Sequence, residues 1–355
     1  MRLERVIILK RIKKIMISLI AWTVINVLFV TVYAAPFEMQ NAIKPNIQMY
    51  SSSSNIVDTG KCGDDLIWTL YDDGLLNITG TGDMYNYESY SIFYWRRNRI
   101  KSVCLENGIT SIGAYAFAYM HDLTCNIEIP NSVIKIEDHA FYGCGLTGKL
   151  DIPESVKMIG DYAFGYCSGL TGNIIIPNGI TSIGNWSFAN CNGLSGNLII
   201  PDNITTIGDY AFAYCQGLTG KLIMSSEVVS IGKSAFENCR FTGRLVIPQN
   251  VKTIGEEAFM NCINLQDNII IPENVVFIGK NAFFNCKGIT DVNIAKKKDS
   301  ISGSPWGLIT NNQAVIHWAN PSDTAYKINI ISPGDVEYNA AGKTTPDVVI
   351  TDTER

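Results

Sequence analysis

A phenylalanine recurs every 23 or 24 residues through the middle of this chain, at Phe117, Phe141, Phe164, Phe188, Phe212, Phe236, Phe259 and Phe283. A fixed period in this range is the signature of stacked repeats, and it constrains the fold more than any local propensity does. Two further columns keep the same register. Ile112, Ile136, Ile159, Ile183, Ile207, Ile231, Ile254 and Ile278 each lie five residues before the Phe. A cysteine follows it by three in seven copies, at Cys144, Cys167, Cys191, Cys215, Cys239, Cys262 and Cys286, with Met120 in that place in the first copy. No single unit of this length can bury its own Ile, Leu and Phe. Neighbouring units must therefore share one continuous core.

The copy from Asn197 to Cys215 shows the plan of a unit. The apolar run Leu198-Ile199-Ile200 ends at Pro201 and reads as a strand that must stop there. A second apolar stretch spans Ile204 to Ile207. In the following Gly-Asp-Tyr-Ala-Phe, Asp209 is expected to cap a short helical turn, and Ala211 lets the chain pack closely behind it. Gly217 and Gly220 then return the chain to the next strand. Parallel strands stack about 4.8 Å apart, so eight copies predict a ladder of roughly 40 Å.

The consensus LxIPxxVxxIGxxAFxxC, most complete from Leu245 to Cys262, resembles the Treponema-type, or BspA-like, leucine-rich repeat. The resemblance covers about Val103 to Ile294 in eight copies. Its departures are local: Glu106 and Ser225 stand for the Pro, Glu137 for the Gly and Ser187 for the Ala. It implies a mainly β repeat protein, a curved, right-handed leucine-rich-repeat β-solenoid with a cap at each end. It also implies a secreted or surface protein associated with adhesion and protein binding.

The flanks divide as follows. Residues 1–34 read as a signal peptide. Arg2, Arg5, Lys10, Arg11, Lys13 and Lys14 precede an apolar run from Ile15 to Tyr33, and Val32-Tyr33-Ala34 suits cleavage. An uncleaved membrane anchor is the alternative. Residues 35–60, with Pro36, Pro45 and four consecutive serines, read as a flexible linker. In 61–102, Leu66, Trp68 and Leu70 alternate, Asp73-Gly74 marks a turn, and Leu76 and Ile78 return. That is a β-hairpin, and it is the natural N-terminal cap of the array at 103–294. Residues 295–335 are expected to cap the other end, with strands at Ala314 to Trp318 and Tyr326 to Ile331. Residues 336–355 form a polar tail.

The charge of −5 becomes −10 once residues 1–34 are set aside. An acidic chain lacks the basic footprint of a nucleic-acid binder. Catalytic chemistry is also thin. The three histidines, His121, His139 and His317, stand in unrelated contexts, and the chain has no serine elbow, Walker loop, HExxH or CxxC. We therefore expect no enzyme, no cofactor and no metal. The cysteine column reads as buried free thiols, because Cys behaves as a small apolar residue and side chains in one column point the same way. Cys62, Cys104 and Cys125 lie outside it, where a bridge could tie the cap to the first repeats.

Two stripes remain as candidate binding surfaces. In the first strand the middle residue faces outward, giving Cys104, Glu128, Asp151, Ile175, Ile199, Ile223, Val246, Ile270 and Asn293. The five neighbouring aliphatics, Ile175, Ile199, Ile223, Val246 and Ile270, would expose roughly 200–250 Å², less than marks an interface by itself. They serve equally well as β-branched residues stabilising a ladder. The second stripe precedes the Ala-Phe pair: Tyr115, His139, Tyr162, Trp186 and Tyr210, then Ser234, Glu257 and Asn281. Tyr119, Tyr166 and Tyr214 lie beside it. Tyr and Trp are common interface anchors, but stacked rings can also fill the space between units.

These features predict an exported repeat protein that binds an extracellular or host surface protein, or a surface glycan, along the repeat face. A spacer without a ligand of its own, or the targeting part of a larger multidomain enzyme, are the alternatives.

Overall fold

The computed structural model describes residues 54–90, 92–297, 300–303 and 314–319. The expected signal segment, most of the expected linker, the strand expected at Tyr326 to Ile331 and the polar tail lie outside them. Within them the chain winds into a β-solenoid of about ten turns. The described residues include one short 3-10 turn, Tyr94–Arg96, and no α-helix.

A three-stranded antiparallel meander opens the fold: β1 (Ile56–Lys61), β2 (Asp65–Tyr71) and β3 (Leu75–Asp83). β1 lies almost wholly inside the stretch read as linker, so the end of that stretch is a strand. Its residues alternate weakly in hydrophobicity, and its edge position comes from pairing with β2 rather than from its own pattern. β3 then pairs in parallel with β4 (Ser102–Leu105) and β5 (Ile109–Ile112). Leu66, Trp68, Leu70, Leu76 and Ile78 thereby join the same core as the repeats.

The core of the array is a column of phenylalanines, each fully buried. Consecutive rings stack nearly parallel, with centroids 5.2–5.9 Å apart. The column begins one ring earlier than the sequence reading placed it. Phe93, 24 residues before Phe117, stacks on it at 5.8 Å and meets Trp68 edge-on. The stretch read wholly as cap thus already contains a repeat turn. At the other end Gly288–Ile294 pairs in parallel with Leu265–Ile271 and with Val315–Trp318.

The strand ladder is not centred where the sequence suggested. Its more continuous part runs through the second apolar stretch: Ile112, Ile136 and Ile159 pair in register, as do Ile183, Ile207, Ile231, Ile254 and Ile278. The first stretch is broken into short pieces, such as Leu198–Ile200 with Leu222–Met224. A proline closes most of these runs without an N–H to donate. Left-handed glycines such as Gly148, Gly172, Gly196 and Gly243 twist their approach.

The Gly-Asp-Tyr-Ala-Phe segment also departs from expectation. It is not a capped helical turn. The residue after the Asp column has a φ of 48–59° in all eight copies, at Tyr115, His139, Tyr162, Trp186, Tyr210, Ser234, Glu257 and Asn281. Hydrogen bonding between turns is the cause. The Tyr210, Phe212 and Tyr214 N–H groups donate to the Lys233, Ala235 and Glu237 carbonyls of the next turn at 2.7, 2.8 and 2.7 Å. The intervening Ala211 and Ala213 N–H groups close tight local turns onto Gly208 and Tyr210. Left-handed residues turn alternate N–H groups along the solenoid axis, which a helix would not do.

Candidate interaction face on the repeat turns

The left-handed residue of each turn carries the aromatic stripe, and its backbone is fixed by the turn that follows. Tyr115, His139, Tyr162, Trp186 and Tyr210 each donate their N–H to a carbonyl of the next repeat, at 2.7–3.0 Å. Their side chains emerge in register and stack as a ladder. Centroid separations are 4.4 Å from Tyr115 to His139, 4.5 Å to Tyr162, 5.6 Å to Trp186 and 4.1 Å to Tyr210, with interplanar angles of 5–15°. All five rings are half-buried.

A second row stands beside the first. Tyr142 meets Tyr119 at 5.3 Å, Tyr166 at 5.4 Å, His139 at 5.4 Å and Tyr162 at 5.7 Å, always edge to face. Tyr90 and Tyr94 extend this row: Tyr90 lies 4.4 Å from Tyr94 and 5.9 Å from Tyr119. Sequence reasoning missed Tyr142, Tyr90 and Tyr94 as members of this face. Two signals were available. Tyr142 follows Phe141 where the other four aromatic turns have Ala118, Gly165, Ala189 and Ala213, and Phe93 keeps the 24-residue spacing that puts Tyr90 and Tyr94 on a turn.

His139 sits between two rings with its Nδ1 buried and unpaired. Burial pushes its pKa below the ordinary value, against the opposing pull of Asp138 and Asp161. Burial thus disfavours the charged form of this ring.

The aliphatic stripe is less coherent. Ile199 and Ile223 pair across adjacent strands, but Ile175 and Val246 lie outside the named strands. Ile175, Ile199 and Val246 are 55%, 45% and 51% exposed, while Ile223 and Ile270 are half-buried. The five do not form one ladder.

The cysteine column has a specific partner. Each thiol donates to the carbonyl of the Phe one turn earlier: Cys144 to Phe117 at 2.7 Å, Cys191 to Phe164 at 3.1 Å and Cys286 to Phe259 at 3.0 Å, with the other four at 3.0–3.1 Å. Burial pushes Cys167, Cys215 and Cys286 up to about 12 and the remaining four well above their ordinary value. All ten cysteines are free, so Cys62, Cys104 and Cys125 form no bridge. Among the described residues no group of three or more His, Cys, Asp or Glu side chains could hold a metal ion.

The repeat geometry has a counterpart in known proteins. The profile of the BspA type leucine-rich repeat region matches residues 89–219 and 195–306, with six copies. The chain belongs to the BspA-type leucine-rich repeat family. The match begins four residues before Phe93, in agreement with the extra ring of the core. A leucine-rich repeat protein from Bacteroides ovatus is similar in structure, at 21% identity over 76% of this chain and 77% of that one, with a TM-score of 0.54. One from Eubacterium ventriosum aligns at 23% identity over 74% and 84%, TM-score 0.46. A leucine-rich cell surface protein from Faecalibacterium prausnitzii aligns at 20% identity over 76% and 96%, TM-score 0.38. The likeness to the Bacteroides ovatus protein speaks to the fold of this BspA-type chain alone. No curated protein matches its sequence.

Proposed function

We propose that this BspA-type protein is exported and, without catalytic activity, binds another protein at or beyond the cell surface through the aromatic face of the five turns from Tyr115 to Tyr210. The basic and apolar residues 1–34 support export, and family membership supports a surface setting. One observation carries the assignment to this face. Ser234, Glu257 and Asn281 adopt the same left-handed backbone as Tyr115, His139, Tyr162, Trp186 and Tyr210, so the fold does not demand an aromatic residue there. Bulky side chains at positive φ are outliers, and such strain gathers at functional sites. Five successive aromatics in these positions call for a reason beyond the turn.

The stacking favours a protein over a glycan as partner. Sugars dock on the open faces of aromatic rings. Within this ladder the facing surfaces of the five rings cover one another, and what remains is mainly ring edges and hydroxyls. Edges and hydroxyls suit the mixed apolar and hydrogen-bonding contacts of a protein surface. The spacer reading draws on the same stacking, because each ring pair also stabilises the array by about 0.5–1.5 kcal/mol.

The discriminating variant combines Tyr162→Asn, Trp186→Asn and Tyr210→Asn. Asparagine tolerates the left-handed backbone and stands there already at Asn281, so the fold should survive where alanine would add strain. The wild-type chain and the variant would be presented to extracellular-matrix proteins, epithelial surface proteins and a glycan array. Saturable binding to a protein, weakened at least a hundredfold in the variant, is the expected result. Equal binding by the folded variant, or binding to glycans alone, would overturn the proposal.

A further inference from the structure

Charge is distributed along the turns as unevenly as the aromatics are. The five aromatic turns, residues 113–122, 137–145, 160–169, 184–193 and 208–217, contain five carboxylates (Asp122, Glu137, Asp138, Asp161 and Asp209) and no Lys or Arg. The next three turns carry Lys233, Arg240, Lys280 and Lys287 against three glutamates. The aromatic face and the acidic face are the same face.

Three of these carboxylates are held in place by the fold. Asp138 Oδ1 accepts the Asp161 N–H at 2.8 Å, Asp161 Oδ1 accepts the Asn185 N–H at 2.7 Å, and Asp209 Oδ1 accepts the Lys233 N–H at 2.7 Å. Each lies directly before a ring of the ladder, so a row of fixed carboxylates runs along one flank of the stacked edges. None of the three has a basic partner among the described residues. At the N-terminal end of the same face the Arg97 guanidinium lies over the Tyr94 ring, 4.1 Å from its centroid. That contact shows within the molecule what a cation does beside these rings.

We infer that the partner recognised by this face is a basic protein segment, rich in Lys and Arg with interspersed apolar residues. This deepens the protein-binding reading above and rests on it. The carboxylates attract and orient the cationic side chains, while the ring edges take the apolar ones and the guanidinium stems. Both features are needed: carboxylates alone would bind any polycation, and rings alone would carry no preference for charge.

The structure supplies the variant that separates charge from fold. Asn185 occupies the same column as the three aspartates, and its Oδ1 accepts the Asp209 N–H at 2.7 Å. The triple change Asp138→Asn, Asp161→Asn and Asp209→Asn therefore keeps these hydrogen bonds and removes three charges. The probe is a fluorescein-labelled peptide of alternating basic and apolar residues, alongside a twin with Glu at each basic position, titrated into the full chain at low and physiological salt. The expected result is binding of the basic peptide only, about tenfold weaker in the Asp→Asn variant, weaker again in the aromatic→Asn variant, and reduced by salt. Unchanged binding in the Asp→Asn variant would overturn the inference. So would unchanged binding in the aromatic→Asn variant, which would mark simple polycation attraction. A protein partner that is lost with the aromatic variant but indifferent to Asp→Asn would leave the protein-binding reading standing and sink this one.

Discussion

Reaction of the folded protein with an excess of an aromatic disulfide reagent at pH 8 tests the thiol column. The attacking species is the thiolate. Burial moves Cys167, Cys215 and Cys286 from an ordinary value of 9.0 to about 12. Three units lower the thiolate fraction at pH 8 about a thousandfold, from roughly 0.1 to roughly 10⁻⁴. Steric closure acts in the same direction, because all seven column cysteines and Cys62 are buried. Cys104 and Cys125 are half-exposed, although burial raises both. Two thiols should therefore react promptly and eight only as the array opens or denaturant is added. Peptide mapping by mass spectrometry identifies which ones. Modification of any column cysteine as fast as Cys104 would refute the reasoning. So would a disulfide between consecutive members such as Cys191 and Cys215 in protein recovered from an oxidising medium, since each thiol points at a carbonyl of the preceding turn and not at the next sulfur.

Three further outcomes are expected. Phe188→Ala removes a ring stacked on Phe164 at 5.6 Å and on Phe212 at 5.3 Å; it should cost about 3–5 kcal/mol in urea unfolding, and a loss under 1 kcal/mol would show that the column is not the main packing element. Gly232→Ala places a Cβ 2.6 Å from the Asp209 nitrogen and the Gly208 carbonyl carbon, so thermal unfolding should reveal a loss of about 1–3 kcal/mol, whereas unchanged stability would mean that the turns can separate. His139→Tyr, which copies Tyr115 and Tyr162, should flatten the dependence of Tm on pH. The His139 pKa is lowered in the folded state, so its stabilising effect is complete above the ordinary value of 6.5 and is lost as pH falls through the folded value. Parallel Tm curves for wild type and variant between pH 7 and 5 would contradict this.

The period made the solenoid legible, because stacked units must repeat whatever packs between them. The Phe, Ile and Cys columns all fell in the core for that reason. The conformation of the turns was not legible. Nothing in Gly-Asp-Tyr-Ala-Phe announces a positive φ at tyrosine, a residue that seldom adopts one. The second left-handed column did carry a hint, since Gly143, Asn190, Asn238, Asn261 and Asn285 are residue types suited to that backbone. Tyr119, Tyr166 and Tyr214 concealed it. The left-handed turn is imposed by the neighbouring repeat through hydrogen bonds that no single unit can make, so propensity within one unit could not reveal it.

The same dependence bears on the candidate site. If each turn obtains its backbone from its neighbour, the residue exposed there is released from any duty to form the turn. Ser234, Glu257 and Asn281 show that freedom in use. The aromatics and carboxylates of the five turns from Tyr115 to Tyr210 occupy positions where other copies hold Ser, Glu, Asn or Lys, and they occur together. A residue forced by packing recurs in every copy, as Phe and Ile do. A residue confined to one block of copies, on positions free to vary, reports a requirement local to that block. In this protein the block runs from Tyr115 to Tyr214, and its chemistry changes sign where the rings end.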